Sequence, residues 1–217
     1  PVVEGADRIM DWIKKESNNF SPLFGTNLAN LEIKSLSVEN TSVPQNPFEL
    51  KSDEAKNIGF EISDRVNFWL GYYNEPRLIY TAPAFRLGPW KASNRRTVHI
   101  AIDVFTNQGA ELFAPLEGEV VTAEYRDNQL DYGGVIILKH TTPNKDKFFT
   151  LYGHLDPKFL SKLKVGDKIG KGQSFCQLGA SKVNGGWVPH VHFQLALTTD
   201  GMEADWPGVA DPDDLSF

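Results

Sequence analysis

Two histidines stand one residue apart in the run PHVHFQL, residues 189–195. Successive side chains of a β-strand point to opposite faces, so His190 and His192 would share one face with Gln194 if this run is a strand. The apolar residues would share the opposite face and pack into a core: Val191, Phe193 and Leu195. A half-buried strand with polar residues outward fits the same pattern. The pair therefore has to be judged together with its neighbours.

The segment TVHIAIDVF, residues 97–105, repeats this design. His99, Ala101 and Asp103 would share one face of a strand, and the opposite face would be apolar. Turned toward the first strand, these residues would bring three histidines and a carboxylate to one point. Imidazole and carboxylate groups suit Zn²⁺, which in catalytic sites keeps one position open for water. The two strands therefore predict a candidate metal site.

The spacing within this segment also predicts a bend. At roughly 3.3 Å per residue, His99 and Asp103 would lie about 13 Å apart in a straight strand, too far to bind one ion. We therefore expect the strand to bend near Ala101. Ala101 has to be small, because a larger side chain between the two residues would fill the space that the ion needs.

A third segment, TLYGHLD, places His154 after a strand and a glycine. Four of the five histidines thus fall in three short segments, which favours a shared site over a coincidence of strand patterning. The fifth, His140, ends a predicted strand before a turn and has no partner in the pattern. We expect His140 to be structural.

The motifs H-x-x-x-D, Y-G-H-L and H-x-H-F, in this order, resemble the M23 zinc metallopeptidases, the lysostaphin-like or LytM-type enzymes. The resemblance covers about residues 85–197. It implies a zinc-dependent endopeptidase that hydrolyses an amide bond with a metal-activated water, on a glycine-rich or peptidoglycan-type peptide. It also implies one Zn²⁺ per chain held by His99, Asp103 and His192. His154 and His190 are similar to the family's two non-ligand histidines beside the bound water.

One departure from that family is Ala101, since the family usually has glycine there and alanine restricts the bend more. This leaves open a non-catalytic metal-binding interaction module within a larger fusion protein. A second alternative is a biotinyl or lipoyl carrier domain, because APLEGEVV and VGDKIGKGQ also resemble carrier hairpins and Lys168 would be the carrier lysine. The carrier is the weaker alternative. Lys168 lies in a turn that resembles the scaffold of carrier domains and not the hairpin that carries their modified lysine. A carrier also has no use for clustered histidines.

Short β-branched runs separated by glycine turns fill the region after residue 85, from TVHIAIDVF to HVHFQLAL. Strands at such regular spacing, without a helical period between them, indicate an antiparallel all-β unit. We predict a mainly β fold with an antiparallel core of the M23 type and a smaller mixed α/β N-terminal accessory region. The predicted boundaries are 1–84 for the accessory region and 85–217 for the M23-like domain with its acidic C-terminal tail.

The accessory region carries two helical patterns. The first follows helical spacing through Ile9, Trp12 and Ile13. The second begins after Ser52 as its N-cap and continues through four apolar residues: Phe60, Val66, Trp69 and Leu70. Between them, LEIKSLSVEN alternates as a short strand and TSVPQNPFELKS is typical of a loop. We expect the aromatic run NFWLGYY to be the packing seam between this region and the rest.

Composition excludes several classes of function. The chain has 217 residues, 41% of them hydrophobic, and a formal charge of −6. Six acidic residues and no lysine or arginine lie in 199–217, and no basic stripe tracks a phosphate backbone, so nucleic acid is not an expected partner. No apolar run approaches the roughly 20 residues of a membrane span. Cys176 is the only cysteine, which excludes an intramolecular disulfide and a cysteine zinc site, and we expect it to be a small buried hydrophobe.

The two ends of the chain and the segments that flank the core carry signals of cellular context. The opening PVVEGADRIMDWIKK lacks the basic start, apolar middle and cleavage site of a secretory signal. The flanks LEIKSLSVENTSV, GYYNEPRLIYTAPAF and WPGVADPDDLSF resemble an M23-type module between a phosphotransferase-like domain and a class III aminotransferase in some long bacterial fusion proteins. That resemblance implies covalently fused neighbouring domains and a cytoplasmic location, where the peptide substrate would not be peptidoglycan. The alternative is export to the cell envelope.

Overall fold

The computed structural model describes residues 3–26, 28, 31–37, 67–81, 85 and 96–215. Within these residues one α-helix, α1, spans Ala6–Glu16. Short 3-10 helices span Ser17–Asn19, Leu78–Thr81, Pro157–Lys162, Ser181–Val183 and Pro212–Asp214. The strands, in chain order, are β1 Leu31–Ile33, β2 Phe68–Gly71, β3 Glu75–Pro76, β4 Val98–His99, β5 Ile102–Phe105, β6 Glu111–Phe113, β7 Gly118–Arg126, β8 Gly133–Thr141, β9 Lys147–Leu155, β10 Lys168–Ile169, β11 Ser174–Gln177, β12 His190–Ala196 and β13 Val209–Ala210.

Eight strands form one sheet in the order β1-β2-β5-β12-β9-β8-β7-β10. Every neighbouring pair in this sheet is antiparallel except β1 and β2, which are parallel. Smaller sheets join β11 to β6, and β13 to β4 and β3. The prediction of a mainly β fold with an antiparallel core is confirmed. Each predicted strand after residue 96 is present, with TVHIAIDVF divided into β4 and β5.

The two faces of the large sheet bury different clusters. Val104 and Val191 pair across β5 and β12 and belong to the larger core, which also contains Tyr152. The opposite face carries His192, and farther along the sheet it carries Leu151, which packs with Trp206 from the C-terminal segment. Both faces of the sheet are therefore covered where the histidines lie, and the histidine face is not the solvent face.

The helix α1 packs on the loop and strand that follow β8. Ile9 is buried, and the ring centroids of Trp12 and Phe148 lie 6.0 Å apart. Arg8 forms a 2.7 Å salt bridge with Asp146 in the β8–β9 loop. This confirms the first predicted helix, which contacts the rest of the protein through both apolar and charged side chains.

The second predicted helix is wrong at its C-terminal end. Trp69 and Leu70 belong to the strand β2, where Leu70 pairs with Ile33 of β1 and with Val104 of β5. A short apolar run fits helix and strand alike, and here pairing with distant strands decides between them. The rest of that prediction, Ser52 to Val66, lies outside the described residues, as does the predicted loop 41–52.

The aromatic run NFWLGYY contains the strand β2, which links the N-terminal strand β1 to the core sheet. β2 lies between β1 and β5, whereas Tyr72 and Tyr73 that follow it are exposed. In LEIKSLSVEN the strand is limited to Leu31–Ile33, and residues 38–40 lie outside the described part of the chain. A domain boundary near residue 85 stays a prediction.

Two expectations from composition also have structural counterparts. Cys176 lies in β11 and is fully buried in the larger core, where burial raises the pKa of its thiol well above the ordinary value. Among the described residues, no helix combines the length and the apolar character that a bilayer-spanning helix needs.

Candidate metal centre

The predicted bend brings His99 and Asp103 together. β4 ends at His99 and pairs with β3 and β13, whereas β5 begins at Ile102 and pairs with β2 and β12. The chain therefore changes sheets at Ile100 and Ala101, and Ala101 is buried at this point. As a result, His99 Nε2 lies 3.2 Å from Asp103 Oδ1, which a straight strand would not allow.

His192 completes a triangle with these two residues. It lies opposite Asp103 in the β5–β12 register, and its Nδ1 is 3.3 Å from Asp103 Oδ1 and 3.3 Å from His99 Nε2. In a tetrahedral zinc site with bonds of about 2.0–2.1 Å, two ligand atoms are separated by about 3.3–3.4 Å. The three atoms therefore match one face of a zinc tetrahedron.

Hydrogen bonds from outside the triangle determine which nitrogen of each imidazole faces it. His99 Nδ1 lies 2.9 Å from the carbonyl oxygen of Tyr72, so Nδ1 carries the proton and donates it. Gln194 Nε2 donates to the carbonyl of Pro207, which turns Gln194 Oε1 toward His192 Nε2 at 3.1 Å. His192 Nε2 is therefore the donor. The lone pairs of His99 Nε2 and His192 Nδ1 are left facing each other.

Such an arrangement fits a cation. Two imidazole lone pairs and Asp103 Oδ1 meet within 3.3 Å, and this buried carboxylate oxygen has no hydrogen-bond donor. Nitrogen and oxygen atoms with lone pairs repel one another unless a proton or a metal ion lies between them. The donor set of two imidazoles and one carboxylate is one that binds Zn²⁺.

His154 and His190 lie beside the triangle and outside it. Their Nδ1 atoms face the carbonyl oxygens of Asn184 at 2.9 Å and Val188 at 2.7 Å, which leaves both Nε2 atoms as acceptors. The two ring centroids are 4.3 Å apart, and His190 Nε2 is 3.7 Å from Asp103 Oδ1. Burial lowers the pKa of His154 well below its ordinary value and the pKa of His190 to about 4. Both imidazoles are therefore neutral near pH 7.

The backbone of His154 is unusual for a strand. Its φ is 64°, in the left-handed region that residues other than glycine rarely adopt. The ladder between β8 and β9 shifts register beside it. The strand thus forms a bulge at His154, which redirects its side chain toward His190. Strain of this kind is concentrated at functional sites.

A cleft of ≈ 390 Å³ opens beside these residues. His154 and His192 line it, while its walls are rich in aromatic side chains: Tyr80, Phe85, Tyr132, Trp187 and Trp206. Tyr132 links the aromatic wall to the histidines, because its hydroxyl donates to the carbonyl of Trp206 at 2.8 Å and its ring packs on His192. A peptide in this cleft would reach the histidines.

Comparison with known proteins decides the family. Peptidase family M23 matches residues 97–204. Residues 97–204 are an M23 peptidase domain. All five predicted site residues lie within the matched range. No match among curated protein sequences was found.

Solved peptidase structures resemble the M23 domain in part. A zinc-containing peptidase from Vibrio cholerae is 24% identical over 51% of this chain and 30% of that chain, with a TM-score of 0.37. The catalytic domain of the antimicrobial peptidase lysostaphin from Staphylococcus simulans is 25% identical, over 58% of this chain and 84% of that chain, with a TM-score of 0.38. A mutant catalytic domain of a prophage-encoded M23 protein from Enterococcus faecalis is 22% identical, over 61% of this chain and 85% of that chain, with a TM-score of 0.39. The chain thus spans less than a third of the Vibrio cholerae protein.

Several contacts to the M23 domain's candidate metal centre come from residues that sequence reasoning missed. Tyr72, Glu75 and Arg77 precede the matched range, and Arg77 Nη1 contacts Asp103 Oδ2 at 2.6 Å. Burial alone would raise the pKa of Asp103, but the neighbouring His99 and Arg77 hold it well below its ordinary value. The sequence signal that could have found them is the pair of opposite charges, Glu75 and Arg77, two residues apart in the aromatic segment YYNEPRLIY.

Two further residues of the sequence analysis lie away from the centre. His140 Nδ1 faces the carbonyl of Glu117 and its Nε2 faces Thr150 Oγ1, both at 2.7 Å, which confirms a structural histidine. Lys168, the residue of the carrier alternative, forms an ion pair with Glu119 at the edge of the sheet. Lys139 and Lys168 together lower the pKa of Glu119 to about 2.

Proposed function

We propose that the M23 domain is a zinc-dependent endopeptidase that uses one Zn²⁺ per chain. The observation that carries the proposal is the triangle of His99 Nε2, Asp103 Oδ1 and His192 Nδ1, with edges of 3.2–3.3 Å, beside the aromatic cleft. Membership of a peptidase family supports the reaction class. The proposed substrate is a glycine-rich or peptidoglycan-type peptide, whose small residues suit a cleft with bulky walls.

The chain's residues would divide the work as follows. His99, Asp103 and His192 hold the ion. When bound, Zn²⁺ lowers the pKa of a coordinated water to about 7 and polarises the scissile carbonyl. His154 and His190 are neutral, and each has an Nε2 free to accept a proton from that water or to position it. The oxygen of the attacking water would bond to the carbonyl carbon while one of its protons passes to a histidine Nε2, and that proton would then pass to the amide nitrogen as the C–N bond breaks.

The fixed tautomers matter for this reaction. Because Nδ1 of His154 and Nδ1 of His190 are committed to carbonyl oxygens, Nε2 is the only nitrogen of either ring that can exchange a proton with substrate. His154 borders the cleft, whereas His190 stacks on Phe105 and faces Asp103. His154 is thus the better placed of the two to meet a bound peptide.

A metal-binding module without turnover is the second candidate. It is favoured by burial, because the exposed fraction of each of the five site residues is at most 5%. The substitution of alanine for the family's usual glycine at Ala101 points the same way. Both candidates bind zinc, so zinc content alone does not separate them.

Peptide hydrolysis separates them. The protein would be incubated with pentaglycine and with a peptidoglycan-type peptide, before and after removal of metal by a chelator, and products would be followed by mass spectrometry. We expect cleavage that disappears with chelator and returns with Zn²⁺. Zinc binding without cleavage of either peptide would support the module, and less than about 0.3 equivalents of any transition metal would rule out both.

A further inference from the structure

Arg77 is a buried cation that touches a proposed metal ligand from outside the matched M23 range. The exposed fraction of its side chain is 3%, and its Nη1 lies 2.6 Å from Asp103 Oδ2. Its Nε donates to Glu75 Oε2 at 2.7 Å, so the guanidinium bridges two buried carboxylates. A buried charge is costly unless it is paired, and this pairing fixes the cation against Asp103.

The far carboxylate is itself anchored to the backbone. Glu75 Oε1 accepts hydrogen bonds from Leu36 N at 2.7 Å and from Ser35 Oγ at 3.0 Å. Glu75 also pairs with His99 in the β3–β4 register, next to the first ligand. A rigid chain of contacts therefore runs from Leu36 through Glu75 and Arg77 to Asp103. Only arginine can bridge two carboxylates in this way, because its guanidinium is planar and forked whereas the ammonium group of lysine is a single point of charge.

This series of contacts determines how Asp103 can bind an ion. Its Oδ2 is committed to Arg77, and only Oδ1 points at His99 and His192. We propose that Arg77 is a positioning residue of the metal centre. By contacting Oδ2, it holds Asp103 so that only Oδ1 faces His99 and His192 and can bind the ion. The inference rests on the proposed zinc binding and extends it to residues before the M23 domain.

A purely structural role makes a different prediction. If Arg77 only neutralises two buried carboxylates, then removing Arg77 together with the charge of Glu75 should restore a folded protein with normal metal binding. If Arg77 positions Asp103, the double variant should fold and still bind metal poorly, because Oδ2 has lost its donor. The double variant Glu75→Gln/Arg77→Met therefore separates charge balance from positioning.

Gly71 offers a test that changes no charged group. It pairs with Asp103 in the β2–β5 register, and a Cβ at this position would lie 2.8 Å from Arg77 Nη2 but 3.4 Å from Asp103 Cβ. Gly71→Ala would therefore displace the guanidinium while leaving the ligand itself in ordinary contact. The variant should reproduce the metal defect in weaker form.

The experiment measures zinc affinity of the full chain by competition with a chelating dye, together with the visible spectrum of the Co²⁺-substituted protein. We expect Arg77→Met and Glu75→Gln/Arg77→Met to bind zinc about 10–100-fold more weakly, as outer-sphere partners of ligands commonly do when removed. Arg77→Lys should recover part of the affinity. In Arg77→Met, the loss of the fixed orientation of Asp103 should also change the visible Co²⁺ absorption, which a stability defect alone would not do.

Arg126→Met is the matched control. Arg126 also bridges two carboxylates, Asp131 at 3.0 Å and Asp205 at 2.8 Å, but it contacts none of the proposed ligands. Its zinc affinity should equal that of the parent. Parent-like affinity and Co²⁺ spectrum in the folded double variant or in Gly71→Ala would overturn the positioning role. A parent protein that binds no zinc would instead overturn the proposed function.

Discussion

Gly208 lies over the candidate metal centre, in the segment that covers the histidine face of the sheet. A Cβ at this position would lie 2.9 Å from His192 Cε1 and 2.9 Å from the hydroxyl of Tyr132. Favourable contacts between carbon atoms are about 3.5–4.0 Å long, so a neighbour would have to move by roughly 0.5 Å or more. Neither side chain moves freely, because Tyr132 is hydrogen-bonded to Trp206 and His192 is hydrogen-bonded to Gln194.

We therefore expect Gly208→Ala to lower the free energy of unfolding by about 1–3 kcal/mol, the usual cost of an extra methyl group in a closely packed site. Zinc binding should also weaken, by on the order of tenfold, because displacement of His192 moves Nδ1 out of its 3.3 Å spacing from the other ligand atoms. Denaturant unfolding in chelator measures the first effect, and competition with a chelating dye measures the second.

Gly170→Ala is the control for this substitution. A Cβ there would meet only Gln173 Oε1, at 3.6 Å, and should cost little stability and no metal affinity. If Gly208→Ala unfolds at the same denaturant concentration as the parent and binds zinc equally well, the C-terminal segment does not lie against His192 as described.

Two further predictions concern the ligands and the bend. His192→Ala and Asp103→Ala should abolish the proposed metal binding and lower the melting temperature in zinc, because a ligand that binds only the folded state stabilises it. His154→Ala and His190→Ala should keep the metal and lose turnover. Equal metal loss in all four would refute this division of roles. Ala101→Val should abolish zinc binding with the fold retained, and Ala101→Gly should retain zinc at a stability cost of roughly 0.5–1 kcal/mol. Elemental analysis with a melting curve tests each variant, and parent-like zinc in Ala101→Val would contradict the proposed need for a small residue.

The alternation of polar and apolar residues predicted the strands of the core, because period two is a local property of strand geometry. The same reasoning predicted the bend between His99 and Asp103, since a straight strand places them too far apart to share an ion. It also placed His140 outside the site. These are inferences from spacing within one segment, and the structure agrees with each of them.

Pairing between distant segments was not predictable in this way. Trp69 and Leu70 fit a helical spacing, and only hydrogen bonding to β1 and β5 makes them a strand. Arg77 is 26 residues from Asp103 along the chain, and no periodicity relates the two. The cover over His192 depends on Tyr132 and Trp206, which are 74 residues apart. Each of these contacts joins segments that are distant along the chain, and the residue pattern within one segment does not show which distant segment it will meet.

The tautomers of the histidines illustrate the same limit and have a consequence for folding. Each proposed ligand nitrogen is available only because the other nitrogen of its ring donates to an oxygen from elsewhere: Tyr72 for His99 and Gln194 for His192. The folded state therefore holds two imidazole lone pairs and a carboxylate oxygen within 3.3 Å of one another. These atoms repel one another unless a cation lies between them. If the proposed zinc binding is correct, the ion should stabilise the packing of β4, β5 and β12 around the centre, because it would remove this repulsion.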